Sequence, residues 1–304
     1  MSVYMVQSGG VALILQLRKN IGWFTMNSSE ALAKLRSLIH SGVKRGIIKT
    51  TRSLGYELKR LRPEPPPQYR LFESMLSLRD LQSGETDYEL KFLTYCLNNL
   101  GSSNAQLLQD LFVLFHLDNK VEGYFVEFGA ADGITISNTF LLESQYGWSG
   151  IVAEPARRWR CPLKQNRNCS VDFRCVWRKS GEMLRFNETV DPGFATIQSF
   201  SYSDYHANNR TKGNIYDVQT VSLTDLLRQY DAPKVIDYLS IDTEGSELEI
   251  LNSFTFHDYV IRVITVEHNH SDRSIQIYKL LTSKGYKRVF DQFSMYDDWY
   301  VRTS

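Results

Sequence analysis

Side chains that can do acid–base chemistry or bind a cation lie at the ends of several apolar segments of this chain. Glu127, Glu154, Asp242 and Glu267 each close or directly follow such a segment, and His268 comes next after the last of them. Carboxylates and imidazoles accept protons, and carboxylate oxygens bind hard cations such as Mg²⁺ or Ca²⁺. This set of residues predicts a site that binds a polar ligand and handles a proton.

A glycine loop follows Glu127 and reads Gly129-Ala130-Ala131-Asp132-Gly133. It departs from the G-x-G-x-x-G dinucleotide fingerprint, because it has two glycines with an aspartate between them. A carboxylate repels the negative charge of a pyrophosphate, whereas it can lie next to a cation. S-adenosylmethionine has a positive sulfonium and no phosphate, so the loop with Glu127 and Asp132 fits it better than a nicotinamide dinucleotide.

Glu154 lies 21 residues after Gly133, which is about where a ribose-binding acid follows the second strand of a nucleotide-binding fold. Its carboxylate can accept hydrogen bonds from both ribose hydroxyls. We therefore predict a nucleoside cofactor held by the loop and by Glu154. A nicotinamide oxidoreductase is disfavoured by Asp132 and by the glycine spacing.

The remaining acids and His268 are predicted to lie where a methyl acceptor meets the cofactor. An alcohol loses its proton only at a pKa of roughly 15 or 16, so its methylation needs a general base, a metal ion or both. His268 is the predicted base, with Asp242 and Glu267 orienting it. The same two carboxylates could instead share Mg²⁺ or Ca²⁺, and the residues leave both mechanisms open. Glu244 is a candidate for this cluster or for the cap of the following helix.

The apolar segments predict the elements that position these residues. Short apolar strands alternate with helical segments from Tyr124 onward, which indicates βαβ units and a doubly wound, mostly parallel α/β sheet. The predicted strands are residues 124–128, 150–153, 171–176, 235–241, 260–266, 287–290 and 299–301. The last two are expected to form an antiparallel hairpin at the sheet edge. Ligands bind at the carboxyl ends of such strands, which is where the acids lie.

The charge of the chain divides near residue 62. Residues 1–62 contain eleven Lys and Arg against two Glu, a net charge of +9, which leaves −8 on the remainder of a chain of net charge +1. Apolar side chains recur every three or four positions within residues 28–49 and predict a basic amphipathic helix. Proline-rich residues 62–67 predict an extended linker. We expect residues 28–62 to contact a membrane surface or a partner protein, and we expect no nucleic acid partner.

Two capping boxes, Thr86-x-x-Glu89 and Ser103-x-x-Gln106, predict two helices between the linker and the sheet. The predicted organisation is therefore a basic arm with its linker over residues 1–67, a helical lead-in over residues 68–120 and an α/β domain over residues 121–304.

Residues 191–213, between the third and fourth predicted strands, form a long polar and aromatic segment. A segment of this length predicts a lid, a binding loop or a mobile surface loop. Tyr202, Tyr205, His206 and Arg210 would suit stacking on and hydrogen bonding to a sugar.

Composition excludes several classes of protein. Apolar residues make up 42% and charged residues 23%, with 8 Pro, which is typical of a globular protein and not of a collagen or a disordered chain. No apolar run approaches the length of a membrane span, and no segment resembles a signal peptide. Cys96, Cys161, Cys169 and Cys175 lack paired zinc spacing, so we predict free thiols and a cytoplasmic location.

Five motifs in order resemble the FkbM family of methyltransferases. They are F-V-E-F-G-A-A-D-G-I-T-x-S-N-T from Phe125, V-A-E-P from Val152, V-x-L-T-D-L-L from Val221, D-Y-L-S-I-D-T-E-G-S-E-L-E-I-L from Asp237 and V-E-H-N from Val266. The similarity extends from about Glu85 to Val301, and residues 1–84 lie outside it. Members commonly have Lys where this chain has Ser240.

The resemblance implies a class I methyltransferase fold, which is Rossmann-like, with S-adenosylmethionine as cofactor and O-methylation of hydroxyls, often on sugars. It assigns the cofactor loop to Glu127, Gly129, Ala130, Asp132 and Gly133, the helix start to Ser137 and Asn138, the ribose acid to Glu154, and a further cofactor contact to Asp242. We therefore predict an O-methyltransferase acting on a sugar or glycan. The alternative is a catalytically silent module that keeps the cofactor fold and docks on a membrane or polymer through its basic arm; self-association is left open.

Overall fold

The computed structural model describes residues 4–8, 11–15, 84–202, 207–269 and 273–303. The chain divides into two units after Ser77, and each is described by itself. In the first unit, β1 (Tyr4–Ser8) and β2 (Val11–Leu15) pair as an antiparallel hairpin. The predicted basic helix of residues 28–49 and the proline-rich linker lie outside the described residues. None of the helices within the described ranges is long and apolar enough to cross a membrane.

The elements of the second unit follow in chain order. They are α1 (Gly84–Asn99), α2 (Gln109–His116), β3 (Tyr124–Phe128), α3 (Phe140–Tyr146), β4 (Ser149–Ala153), α4 (Arg160–Asn166), β5 (Ser170–Asp172), β6 (Cys175–Trp177), β7 (Met183–Glu188), β8 (Thr196–Ile197), β9 (Asn214–Ser222), α5 (Leu223–Gln229), β10 (Val235–Ile241), α6 (Glu247–Ser253), β11 (Val260–Glu267), α7 (Arg273–Ser283), β12 (Tyr286–Val289) and β13 (Asp297–Arg302).

The central sheet has seven strands in the order β12–β13–β11–β10–β3–β4–β5. The strands from β11 to β5 pair in parallel, whereas β13 runs antiparallel to both β11 and β12. This order confirms the predicted mostly parallel α/β sheet with an antiparallel edge hairpin. It also brings the carboxyl ends of β3, β4, β10 and β11 to one edge.

Helices cover both faces of this sheet, as a doubly wound fold requires. On one face, Leu226 of α5, Ile250 of α6 and Ile277 of α7 pack in one core. On the other face, Phe92 of α1 and Phe112 of α2 pack in a second core with strand residues that include Trp299. The two lead-in helices are therefore part of the core of the second unit.

The start of α2 differs from the prediction. The Ser103 capping box predicts a helix from that residue, but α2 begins at Gln109. The Asp110 carboxylate accepts hydrogen bonds from Ser103 Oγ at 2.6 Å and from the backbone N–H groups of Asn104 and Ala105. These bonds tie the segment before α2 to the first turn of that helix, so Asp110 and not Ser103 caps its start.

A second sheet, with the order β6–β9–β7–β8, was not predicted. The single strand expected over residues 171–176 is two strands in different sheets, since the Asp172 carboxylate accepts a hydrogen bond from the Arg174 backbone N–H and turns the chain there. Residues 191–202 of the expected lid also differ from a mobile loop. They include β8 and buried side chains such as Ile197 and Phe200, which pack against Phe186 of β7.

The ends of β3 and β10 approach each other closely at the edge that bears the acids. Gly129 follows β3 with a φ of +77°, and a β-carbon at this position would overlap the backbone carbonyl oxygen of Asp242. Only glycine combines the left-handed conformation with this lack of side-chain volume. The sequence-predicted glycine loop is thus required by the strand packing itself.

We expect Gly129→Ala to destabilise the fold more than Gly181→Ala. Gly181 also has a positive φ, +80°, but a β-carbon there would meet no atom within 4 Å. Its substitution by Ala therefore costs only the strain of the left-handed conformation, about 1–2 kcal/mol. Overlap with the Asp242 carbonyl should add about 1–3 kcal/mol to the loss at Gly129. Urea unfolding of both variants measures the difference, and equal losses would contradict the close approach.

Candidate active site

A cleft opens at the carboxyl ends of β3, β4 and β10 and encloses about 890 Å³, including space open to solvent. Its lining includes most of the residues predicted to bind the cofactor, namely Glu127, Gly129, Ala130, Ser137, Asn138, Glu154 and Asp242. The second sheet contributes Cys175, Val176, Phe186 and Ile197 to the lining. The cleft therefore has a polar wall from the central sheet and an apolar wall from the second sheet.

Glu127 is buried, and its carboxylate organises the loop that leads into α3. It accepts hydrogen bonds from the Asn138 backbone N–H at 2.7 Å and from the hydroxyls of Ser137 and Thr139. Nη1 of Arg167 lies 3.3 Å from its Oε2 atom. Glu127 was predicted to touch the cofactor, and it does line the cleft, but its oxygens already hold the walls of that cleft.

Arg167 is the cation of this network, and its side chain is fully buried. Besides Glu127, it binds the Glu143 carboxylate, the Ser137 hydroxyl and the Thr139 hydroxyl. The neighbouring acids raise the pKa of Arg167 against the opposing effect of burial, which is the largest single influence. The guanidinium thus stays charged and joins α4 to the loop before α3.

Asp132 and Gly133 are not among the residues that line the cleft, and their predicted contact with the cofactor stays a prediction. Oδ1 of Asp132 accepts hydrogen bonds from the backbone N–H groups of Ile134 and Thr135, so its carboxylate closes a local turn. A β-carbon at Gly133 would lie 2.7 Å from the side chains of Leu163 and Arg167. Gly133 is therefore needed for packing of α4 against the loop.

Glu154 lines the cleft just after β4 and is buried. Its two oxygens accept hydrogen bonds from the backbone N–H groups of Ala131 and Ala156, at 3.0 and 2.8 Å. Burial raises the pKa of Glu154 to about 7, against the lowering effect of these two donors. Each carboxylate oxygen has a second lone pair, so the group can still accept a ligand hydroxyl.

Asn138 places an unsatisfied acceptor at the cleft. Its Nδ2 donates a hydrogen bond to Ser240 Oγ at 2.9 Å, whereas its Oδ1 is buried and has no hydrogen-bond partner among the described residues. A buried acceptor without a donor is costly unless a ligand or water supplies one. Asn138 is thus suited to receive a hydrogen bond from a bound molecule.

Three acids come together at the end of the cleft beside β10 and β11. One carboxylate oxygen from each of Asp242, Glu244 and Glu267 lies within 4.8 Å of the others. Burial raises the pKa of Asp242, and burial together with the charge of Asp242 raises the pKa of Glu267 well above its usual range. The structure therefore brings together the two carboxylates that were predicted as a pair and adds Glu244 to them.

Glu244 is held by groups that the sequence-based site did not include. Arg210 Nη2 lies 2.6 Å from its Oε2 atom, and Asn269 Nδ2 donates to the same oxygen at 3.2 Å. The side chain of Arg210 is fully buried. Arg210 was expected to touch a sugar, and the structure instead pairs it with an acid of the cluster. Glu247, not Glu244, accepts the backbone N–H groups that precede α6.

His268 does not lie with Asp242 and Glu267, and the prediction that those acids orient it is corrected. Its Nε2 atom lies 3.7 Å from Oδ1 of Asp298, a residue of β13. Successive residues at a strand end point to opposite sides of the sheet, so His268 is turned away from the side that Glu267 faces. Tyr300 and Arg288 also contact Asp298, which places His268 in a separate polar group.

We expect Arg167→Ala to lower the free energy of unfolding by about 3–5 kcal/mol, because it leaves the buried Glu127 carboxylate without its cation. The matched control is Arg185→Ala, since Arg185 pairs with Asp217 and both side chains are more than half exposed. That change should cost no more than about 0.5 kcal/mol. Chemical denaturation measures both, and similar losses would show that the buried network is not needed for the fold.

Comparison with known proteins extends what the geometry shows. Residues 127–288 match the model of the methyltransferase FkbM domain. No curated protein has significant sequence similarity to the chain.

Among solved structures, a precorrin-6y C5,15-methyltransferase from Geobacter metallireducens GS-15 is similar with 10% identity and a TM-score of 0.34, over 63% of this chain and 85% of that one. A fibrillarin/Nop5p complex is similar with 11% identity and a TM-score of 0.29, over 60% of this chain and 73% of that one. The family match covers more than half of the sequence and includes the glycine loop, Glu154 and all three clustered acids. The chain therefore belongs to the FkbM methyltransferase domain family.

Proposed function

We propose that this S-adenosylmethionine-dependent methyltransferase methylates a hydroxyl oxygen, on a sugar or glycan. The observation that carries the proposal is the composition of the cleft. Among the described residues, the lining has carboxylates from Glu127, Glu154, Asp242 and Glu244 and no Lys or Arg side chain. Such a lining suits a polyhydroxylated ligand and a cationic cofactor, and it is unfavourable to phosphate groups.

The residues present fit S-adenosylmethionine. Glu154 would accept hydrogen bonds from the ribose hydroxyls, and the unsatisfied Oδ1 of Asn138 would accept one from a further donor. Gly129 and Ala130 leave the loop free of bulky side chains on the cleft side. When bound, this cofactor supplies an electrophilic methyl group on a positively charged sulfur.

The acceptor binds, in this proposal, at the end of the cleft beside Asp242 and Glu244. Both carboxylates line the cleft and can accept hydrogen bonds from sugar hydroxyls. The wall from the second sheet, with Phe186 and Ile197, offers an apolar surface of the kind on which a sugar ring can lie. Binding in this orientation places a hydroxyl oxygen next to the clustered acids, which limits the distance its proton must travel.

Transfer of label from S-adenosylmethionine that is tritiated on its methyl group to a panel of glycans tests this proposal. We expect label on glycans with free hydroxyls and none on the same glycans after chemical O-methylation of every hydroxyl. Label on an amine-bearing acceptor alone would contradict O-methylation. Binding of the cofactor with no transfer to any acceptor would favour the silent binding module.

Cofactor affinity is expected to depend on pH through Glu154. The ionised carboxylate is the better acceptor for ribose hydroxyls, and its pKa is raised to about 7, so affinity should fall as the pH is lowered. From pH 8 to pH 6 the ionised fraction falls about tenfold, and the affinity for S-adenosylhomocysteine should fall by a similar factor. Calorimetry at both values measures it.

The Glu154→Gln variant should bind more weakly at pH 8, by about 1–3 kcal/mol, and should lose most of the pH dependence. Asp217→Asn is the control, because Asp217 is exposed and pairs only with an exposed Arg185 among the contacts described here. A wild-type affinity that is flat between pH 6 and pH 8 would contradict the assignment of Glu154 as the ribose acid.

A further inference from the structure

The acid cluster of Asp242, Glu244 and Glu267 brings three carboxylates within 4.8 Å of one another. Arg210 lies against Glu244 and balances one of the three carboxylates. Asp297 is the register partner of Glu267 across β11 and β13, and it adds a further buried acid nearby. Buried charge of one sign is costly unless protons or cations compensate it. With all three carboxylates ionised, the cluster and Arg210 together would have an excess of two negative charges before Asp297 is counted.

Two buried oxygens lack a hydrogen-bond partner among the described residues, and one of them belongs to the cluster itself. Glu267 is 9% exposed, and its Oε2 atom receives no hydrogen bond from any described residue. Asn138 is 7% exposed, and its Oδ1 atom is likewise unsatisfied within the described part of the chain. Asn138 lines the same cleft as Asp242 and Glu244. Native proteins leave few buried oxygens unsatisfied, so an oxygen of this kind is a place where a water molecule, an ion or a ligand is expected.

The spacing of the three carboxylates matches the coordination sphere of a hard divalent ion. Oxygen ligands lie about 2.3–2.6 Å from Ca²⁺ and about 2.0–2.1 Å from Mg²⁺, so opposite ligands are about 4–5 Å apart. The ligand oxygens of the cluster lie within 4.8 Å of one another. Arg210 and Asn269 hold Oε2 of Glu244 and thereby fix the direction of this carboxylate.

We propose that Asp242, Glu244 and Glu267 bind one divalent cation of the Mg²⁺, Mn²⁺ or Ca²⁺ class at the inner wall of the cleft. Two positive charges would match the two negative charges that the fully ionised cluster keeps after its pairing with Arg210. Soft metals are disfavoured because the three side chains offer only oxygen ligands. Arg210 is a positioning residue in this arrangement, since it orients Glu244 and does not touch the ion.

The role of the ion rests on the proposed function. A divalent cation beside the acceptor hydroxyl would lower the pKa of that hydroxyl, so that its proton could pass to water in the open cleft. The oxygen would then take the methyl group, and the sulfonium would become the neutral sulfur of S-adenosylhomocysteine. This chemistry also fits a cluster that His268 does not join, because His268 faces Asp298. An oxygen nucleophile can then form at neutral pH without a strong organic base.

Mn²⁺ binding to the full chain tests the site without any need for activity. After treatment with EDTA and its removal, titration followed by electron paramagnetic resonance should show one bound Mn²⁺ per chain, displaced by excess Mg²⁺ or Ca²⁺. Asp242→Asn, Glu244→Gln and Glu267→Gln should each weaken Mn²⁺ binding by about tenfold or more. These changes keep side-chain shape, and thermal unfolding shows whether each variant is folded.

Asp217→Asn is the matched control, because it removes a carboxylate that is half exposed and far from this edge in sequence and strand position. It should leave the Mn²⁺ affinity unchanged. No Mn²⁺ binding to the wild type at millimolar concentration would overturn the proposal, and so would binding that all three cluster variants retain. S-adenosylhomocysteine calorimetry on the metal-free protein separates the two proposals: cofactor binding without Mn²⁺ binding refutes only the cation site, and Mn²⁺ binding without cofactor binding refutes only the methyltransferase role.

Discussion

Compensation of buried negative charge at one edge of the parallel sheet is the constraint on which this structure depends. Parallel strands place their carboxyl ends together, and here Glu127, Glu154, Asp242 and Glu267 all lie at those ends. Each carboxylate that leaves water has to gain hydrogen bonds or a cation. Residues around the cleft supply many of these partners. Acids whose charge is compensated form the walls of the site, and acids whose charge is less compensated form its reactive part.

The walls are made by acids whose charge is compensated within the protein. Arg167 and three donors of the loop before α3 satisfy Glu127, so this acid is a structural support. Two backbone N–H groups satisfy one lone pair on each oxygen of Glu154, which keeps the group in place while it can accept a ligand. At the other end, Asp242 and Glu267 face each other without an arginine or lysine between them in the described contacts. Chemical reactivity is expected where this compensation is incomplete.

The sequence predicted the central sheet well, because its strands are long, apolar and separated by helical patterns. Residues 124–128 and 235–241 are strands with the predicted bounds. In the second sheet, β6 and β8 were missed because they have only three and two residues and lack a detectable alternation. The longer β9 does alternate buried and exposed side chains over residues 215–220, so that pattern could have revealed it. Strands as short as β6 and β8 are stabilised by pairing with β9 and β7, and such pairing is a tertiary contact that local patterns do not record.

The sequence located residues of the cleft where strand ends and loop spacing fix their positions, and it misplaced side chains whose direction depends on tertiary structure. The roles of these residues toward a cofactor stay predictions. Gly129 and Glu154 were found because loop spacing and strand ends specify them. Asp132 and His268 were assigned to the site because they lie near strand ends in the sequence. The Asp132 carboxylate instead closes a local turn, and the His268 side chain points toward Asp298 on the other side of the sheet. Arg210 reaches Glu244 from a segment 34 residues earlier in the chain, so no local motif could have revealed the pair.

Residues outside the family match also contact the acids at this edge of the sheet. The family match extends from residue 127 to residue 288, and Asp297 lies beyond it. In the sheet, Asp297 of β13 is the register partner of Glu267 of β11. Burial raises the pKa of Asp297 to about 7, and Gln109 Nε2 donates a hydrogen bond to its Oδ2 at 2.7 Å. Gln109 begins α2, whose next turn packs Phe112 against Trp299 of β13. The lead-in helices therefore supply both a polar partner and apolar cover for the strand that borders the acid cluster, which makes them part of the methyltransferase unit.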